Sequence, residues 1–269
     1  MRRDSLLTPL VFAALVLAAG AASRLLIDAD RPASAEGTPG KLVWILAPAL
    51  LAVVFRRLDP ATRSEHLFAF TRVGVRFALS VAAAGGAAVC ALIVLGLLTG
   101  SATWVPVPAA ASNLASTAAG LAVFAFLEES AWRGYLLPAL LARASVPLAV
   151  AVAAITWFGW HLPYLDQLAA AYTDEALATL APRLLLGVAA MQWLYTELFL
   201  RCRSVWPAFA LHATMNLVAM LALACGLRLI GARTWLFSPS ADGVIVVALC
   251  CAAGFWLSVR RCRGSCGRS

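Results

Sequence analysis

Two adjacent carboxylates and a guanidinium, Glu128, Glu129 and Arg133, fall within six residues of an otherwise apolar stretch. Only 13% of the chain is charged, so such a cluster in a hydrophobic helix is costly and marks a candidate site. The chain has three histidines, and two of them lie in apolar segments: His161 after Trp157-Phe-Gly-Trp160, and His212 four residues before Asn216. A carboxylate beside two imidazoles can hold and deprotonate a water. Hydroxide attacking a peptide carbonyl then needs its oxyanion stabilised, which the Asn216 amide or an imidazolium can supply. One Glu and two His are also a zinc ligand set with room for water, here Glu128, His161 and His212. These residues are compatible with a metal-held or a protein-held water, although the His-Glu-x-x-His zinc helix is absent.

Helical spacing assigns roles. Glu129 and Arg133 are i, i+4 and can pair, holding the helix or neutralising each other. Glu128 points about 140° away from Arg133, which leaves it available as a general base. His212 and Asn216 are also i, i+4 and share a face. The fourth and fifth apolar segments form a hairpin turning near 143–147, and Glu128 and His161 are each about 20 Å from that turn. They therefore meet at one depth. His212 lies about 14 Å into its own helix from Arg203, and Asn216 about 6 Å deeper.

The elements that must position these groups are membrane helices. The 269 residues are 62% hydrophobic, well above the half or so of a soluble protein. Apolar segments at 6–22, 42–55, 77–98, 116–142, 148–164, 183–200, 205–223 and 243–259 predict an all-α polytopic transmembrane bundle of about eight spanning helices in one domain. The first resembles a signal peptide but is read as a span, because others follow and no small-residue cleavage site stands out. The second is the shortest. The segments at 23–41, 99–108 and 166–182 are expected as loops. The Arg-rich 56–76 segment is expected at the surface, as an interfacial helix, with His66 solvated. Pro138 is placed to kink the fourth helix.

The net charge is +8, and all but one of the 21 basic residues are Arg. With eight helices, fifteen Lys and Arg share the side that holds both termini and six lie on the other. That excess predicts cytoplasmic termini, and the composition hints at a bacterial inner-membrane protein. It explains the basicity without nucleic acid as a partner. Seven Cys, an odd number without a CxxC pair, give no disulfide framework or thiolate zinc site and are expected as free thiols. Glu197 and Arg201 are expected to pair at i, i+4, and Asn113 and Gln192 to bond between helices. Arg56 and Arg57 are assigned to topology.

At these residues the chain resembles the CPBP family, the CAAX proteases and bacteriocin-processing or immunity proteins also called Abi. The family pattern is Glu-Glu-x-x-x-Arg, Phe-x-x-x-His and His-x-x-x-Asn on successive membrane helices. Here it reads Glu128-Glu129-x-x-x-Arg133, Trp157-x-x-x-His161 and His212-x-x-x-Asn216, within about 116–223. The one departure is Trp157 in place of Phe, which keeps an aromatic wall. The resemblance implies an intramembrane endopeptidase like the type II CaaX prenyl endopeptidases. Glu128 would activate water with His161 and His212, Asn216 would stabilise the oxyanion, and Glu129 and Arg133 would support them. The family is described both as metalloprotease and as metal-free glutamate protease. The expectation here is no cofactor, with zinc the alternative. Its partners would be the bilayer and a peptide or protein substrate. A non-enzymatic immunity or scaffold protein of the same fold is the competing reading. A proton-coupled transporter would call for internal repeats, and none is found.

Overall fold

The computed structural model describes residues 5–26, 39–63, 66–105, 114–166, 175–231 and 234–266. The expected Asn113 contact and much of the loops around 31, 108 and 170 lie outside them.

The chain is an all-α bundle. Its long helices are α1 (Leu7–Ser23), α2 (Pro39–Leu58), α4 (Arg72–Leu98) and α5 (Leu114–Ala131). They are followed by α7 (Val146–His161), α8 (Leu177–Cys202), α9 (Trp206–Ala224) and α11 (Val244–Cys266). Short helices α3 (Pro60–Arg63), α6 (Leu137–Leu141) and α10 (Thr234–Phe237) complete it. Among the described residues, seven helical stretches are long and apolar enough to cross a membrane. The eighth expected one, α2, is a 20-residue helix that is not among them. It carries Pro48 inside and Arg56 and Arg57 in its last turn. Leu79, Leu186 and Phe255 are 64%, 64% and 62% exposed, as side chains facing lipid rather than water would be. This is an integral membrane protein.

Without a hydrophobic driving force between helices in lipid, close backbone approach holds a bundle together. It is most evident between α4 and α9. A Cβ on Gly85 would sit 2.2 Å from Leu211 Cδ1, so with the Leu211 side chain as it stands, glycine lets α4 come this near to the helix that carries His212. On the other flank, α2 and α7 exchange indole bonds. Trp44 Nε1 donates to Trp160 O at 2.8 Å and Trp160 Nε1 donates to Trp44 O at 3.1 Å, with the rings stacked. That clasp fixes α7 one residue before His161.

The helix bearing the carboxylates does not run straight. From Trp132 to Leu136 it widens into a π-turn before resuming as α6. Pro138 explains much of this. It has no N–H to give the Gly134 carbonyl, and its ring would clash with that oxygen in a regular helix. Arg56 Nη1 takes the orphaned Gly134 O at 3.1 Å, with its guanidinium over the Phe68 ring. Arg56 is therefore a structural partner of the carboxylate helix.

Four expectations need correction. The 99–108 segment contains a strand, β1 (Ala102–Trp104), paired antiparallel with β2 (Leu227–Leu229). Two loops at the same end of the bundle thereby satisfy their backbone groups mutually. In the 56–76 segment, the end of α2, the one-turn α3, an inward-packed Leu67 and the start of α4 follow one another, and no separate interfacial helix lies among the described residues; His66 is exposed as expected. Asp59, there, is buried and bonded by Arg143 Nη2 at 2.7 Å and Tyr135 Oη at 3.2 Å, which ties this segment to α6. The sixth helix starts at Leu177, so Pro182 lies inside it, past the first turn. Glu197 pairs with Arg261 on α11 through Oε2 at 2.9 Å and Oε1 at 3.0 Å, not with Arg201. Its carboxylate faces inward toward α11, while Arg201 is exposed. The six cysteines whose side chains are described are free thiols.

Candidate active site

The π-turn, the 142–145 turn and the α4–α9 contact converge α5, α7 and α9 on one buried cluster. Glu128 and Glu129 end α5, and Arg133 sits in the π-turn; all three are buried. Arg133 Nη1 donates to Glu129 Oε1 at 3.0 Å, the i, i+4 pair expected from the spacing. Its Nη2 donates to Gln192 Oε1 on α8 at 2.7 Å. The guanidinium lies 5.2 Å from the Trp157 ring centre and 4.7 Å from that of Tyr195. A fully buried cation is tolerable only with such compensation, since its desolvation has to be offset by partners.

Glu129 has a second task. Its Oε1 also lies 2.9 Å from His212 Nδ1. A carboxylate oxygen accepts, so the proton of the neutral ring sits on Nδ1 and the Nε2 lone pair is left for chemistry. His161 is held the same way, with Nδ1 2.8 Å from Trp157 O, a carbonyl that can only accept. Both imidazoles are thus fixed in one tautomer by an oxygen behind Nδ1. Neither Nε2 makes a hydrogen bond among the described residues. The ring centres of His161 and His212 lie 6.2 Å and 5.7 Å from that of Trp157, which stands between them.

Glu128 points into the same space. Its Oε2 accepts from Trp157 Nε1 at 2.5 Å and from Trp132 Nε1 at 3.3 Å. Its Oε1 makes no hydrogen bond among the described residues. Asn216 follows His212 by one turn on α9, half-buried, and its amide has no hydrogen-bond partner among the described residues. Glu128, Glu129, Arg133, His161 and His212 are thus brought together, while Asn216 joins through its helix alone.

The alternative ligand set of Glu128, His161 and His212 is not gathered tightly enough to hold a metal ion. No group of three or more His, Cys, Asp or Glu among the described residues is.

Three residues of the cluster have no place in the three motifs, Trp132, Gln192 and Tyr195, and the motif position Trp157 makes an indole bond that the pattern does not call for. Trp132 stands four residues after Glu128, the spacing that pairs Glu129 with Arg133, so helical periodicity could have found it. Gln192 and Tyr195 come from α8, which carries no motif. Their contacts exist only because α8 packs on α7.

Residues 110–218 match the family model described as type II CAAX prenyl endopeptidase Rce1-like. Over this segment the chain is similar to the CAAX protease family. The Rce1-like segment spans all of α5, α7 and α8 and the part of α9 holding His212 and Asn216, so every candidate residue lies inside it. The match supports a CAAX-type intramembrane protease fold and suggests protease activity in general. No curated protein matches the chain.

Proposed function

We propose that the chain is an intramembrane endopeptidase that hydrolyses a peptide bond with a water activated by Glu128. The observation that carries this is the common orientation of the two rings. Each Nδ1 is occupied by an oxygen, which leaves two Nε2 atoms and Glu128 Oε1 as the open acceptors of one cluster.

In this reading the water donates one hydrogen to Glu128 Oε1 and another to an imidazole Nε2. Glu128 takes the proton as the oxygen attacks the peptide carbonyl. The Asn216 amide donates to the oxyanion. The proton then passes to the departing amine. The Glu129 carboxylate behind His212 Nδ1 supports positive charge on that ring as the proton moves, as the carboxylate of a Ser-His-Asp triad does for its histidine. Arg133 and Gln192 hold Glu129. No step runs through a metal. The substrate is a peptide or protein reached within the bilayer, and nucleic acid has no part. With α2 counted as an eighth crossing, the charge distribution supports both termini being cytoplasmic, and a bacterial inner membrane is the location this reading takes.

The test is cleavage of a quenched peptide library by purified protein in detergent, with wild type beside Glu128→Gln, each with and without a strong zinc chelator. Cleavage lost in the variant and kept with chelator supports the mechanism. Cleavage lost with chelator in the wild type shifts the water to zinc. A folded wild type that cleaves nothing favours the non-enzymatic immunity or scaffold reading, which the intact polar set speaks against.

A further inference from the structure

Trp157 stands where the resembling family has phenylalanine, and its indole does what a phenyl ring cannot. Nε1 donates to Glu128 Oε2 at 2.5 Å, and Trp132 Nε1 reaches the same oxygen at 3.3 Å. Two donors from two different helices therefore converge on one carboxylate oxygen. The Trp157 backbone carbonyl meanwhile accepts from His161 Nδ1 at 2.8 Å. One residue thus grips Glu128 with its side chain and His161 with its main chain. Its ring fills the space between, against His212 and beneath the Arg133 guanidinium.

A carboxylate on a two-carbon stem rotates about its terminal bond with little preference. Either oxygen could then face the water, and each reorientation would have to be undone before reaction. A charge-assisted hydrogen bond on one oxygen removes that freedom. Positioning of this kind acts on the chemical step more than on substrate binding.

We propose that Trp157, seconded by Trp132, is a positioning residue that fixes Glu128 so that Oε1, not Oε2, faces the reacting water. This rests on the reading of Glu128 as the base. The departure from phenylalanine falls at a position within reach of both Glu128 and the rings of both histidines.

The experiment uses full-length protein in detergent with ¹⁵N-labelled indoles. Trp157→Phe keeps an aromatic ring and the backbone carbonyl and removes the donor together with part of the indole's bulk. Its missing indole resonance identifies Trp157 among the nine tryptophans. A bond to a carboxylate places that resonance at the low-field edge of the group, and Glu128→Gln moves it upfield. In cleavage assays Trp157→Phe lowers kcat by about tenfold or more, the loss expected for one hydrogen bond to a charged group, with KM nearly unchanged. Trp132→Phe does the same more weakly. A Trp157 resonance that ignores Glu128→Gln, or a Trp157→Phe variant with wild-type kcat, overturns the proposal. If the wild type cleaves nothing, the protease reading fails by itself, and the response of the indole resonance still decides whether Trp157 holds Glu128.

Discussion

His212 Nδ1 lies 2.9 Å from Glu129 Oε1, the same oxygen that accepts from Arg133 Nη1 at 3.0 Å. One carboxylate oxygen thus joins the motif on α5 to the motif on α9, 83 residues apart in the chain. Removing Arg133 leaves Glu129 buried with half of its compensation gone. Arg133→Met is expected to lower stability by about 3–5 kcal/mol, the usual penalty for breaking one side of a buried pair. Thermal unfolding in detergent checks this; an unchanged midpoint would mean that the pair contributes nothing.

Glu128→Gln is nearly isosteric and can still accept from both indoles through its amide oxygen. The fold should hold, with a melting temperature close to wild type. Cleavage should drop by about 10²–10⁴-fold, the range for losing a general base. A variant that cleaves at the wild-type rate would move the base elsewhere, His212 being the next candidate.

Among the described residues Asn216 has no side-chain hydrogen bond for Asn216→Ala to break, so stability should change little. If its amide donates to the oxyanion, kcat should fall by about 10²–10³-fold with KM nearly constant. Steady-state kinetics on one cleaved peptide separates the two. A rise in KM alone would make Asn216 a binding group.

Gly85 faces Leu211 of α9, where a Cβ would meet the Leu211 side chain. Gly85→Val forces Leu211 to turn or α9 to shift, at a cost of about 1–3 kcal/mol. Because α9 carries His212 and Asn216, activity should fall with stability. Retained activity in a destabilised variant would show that α9 can shift without carrying the site.

Arg56 replaces the hydrogen bond that Pro138 cannot give to Gly134 O. Arg56→Met should loosen the π-turn and lower stability by about 1–3 kcal/mol, as expected for an unpartnered buried carbonyl. Amide exchange at 132–137 reads this locally; unchanged protection there would assign the π-turn to Pro138 alone.

The sequence by itself determined the fold class, because an excess of apolar residues in 20-residue segments has few other solutions. It also determined the Glu129–Arg133 pair, a local consequence of 3.6 residues per turn, and the matched depth of Glu128 and His161, a consequence of the hairpin and a fixed rise. The three-motif resemblance picked out the segment that the family match covers. Partners chosen by packing were not legible in this way. Glu197 pairs with Arg261 rather than with Arg201 because inter-helix contacts outcompete an exposed i, i+4 neighbour. The π-turn needed Pro138 together with an arginine 78 residues away to accept its consequences. The β1–β2 ribbon arose from two loops that share one end of the bundle. The roles of Gln192 and Tyr195, and the two indoles on Glu128, were decided only when α7 and α8 closed on α5. Hydrogen-bond direction and the choice of carboxylate oxygen are properties of a few ångströms, and the spacing of residues along a chain does not encode them.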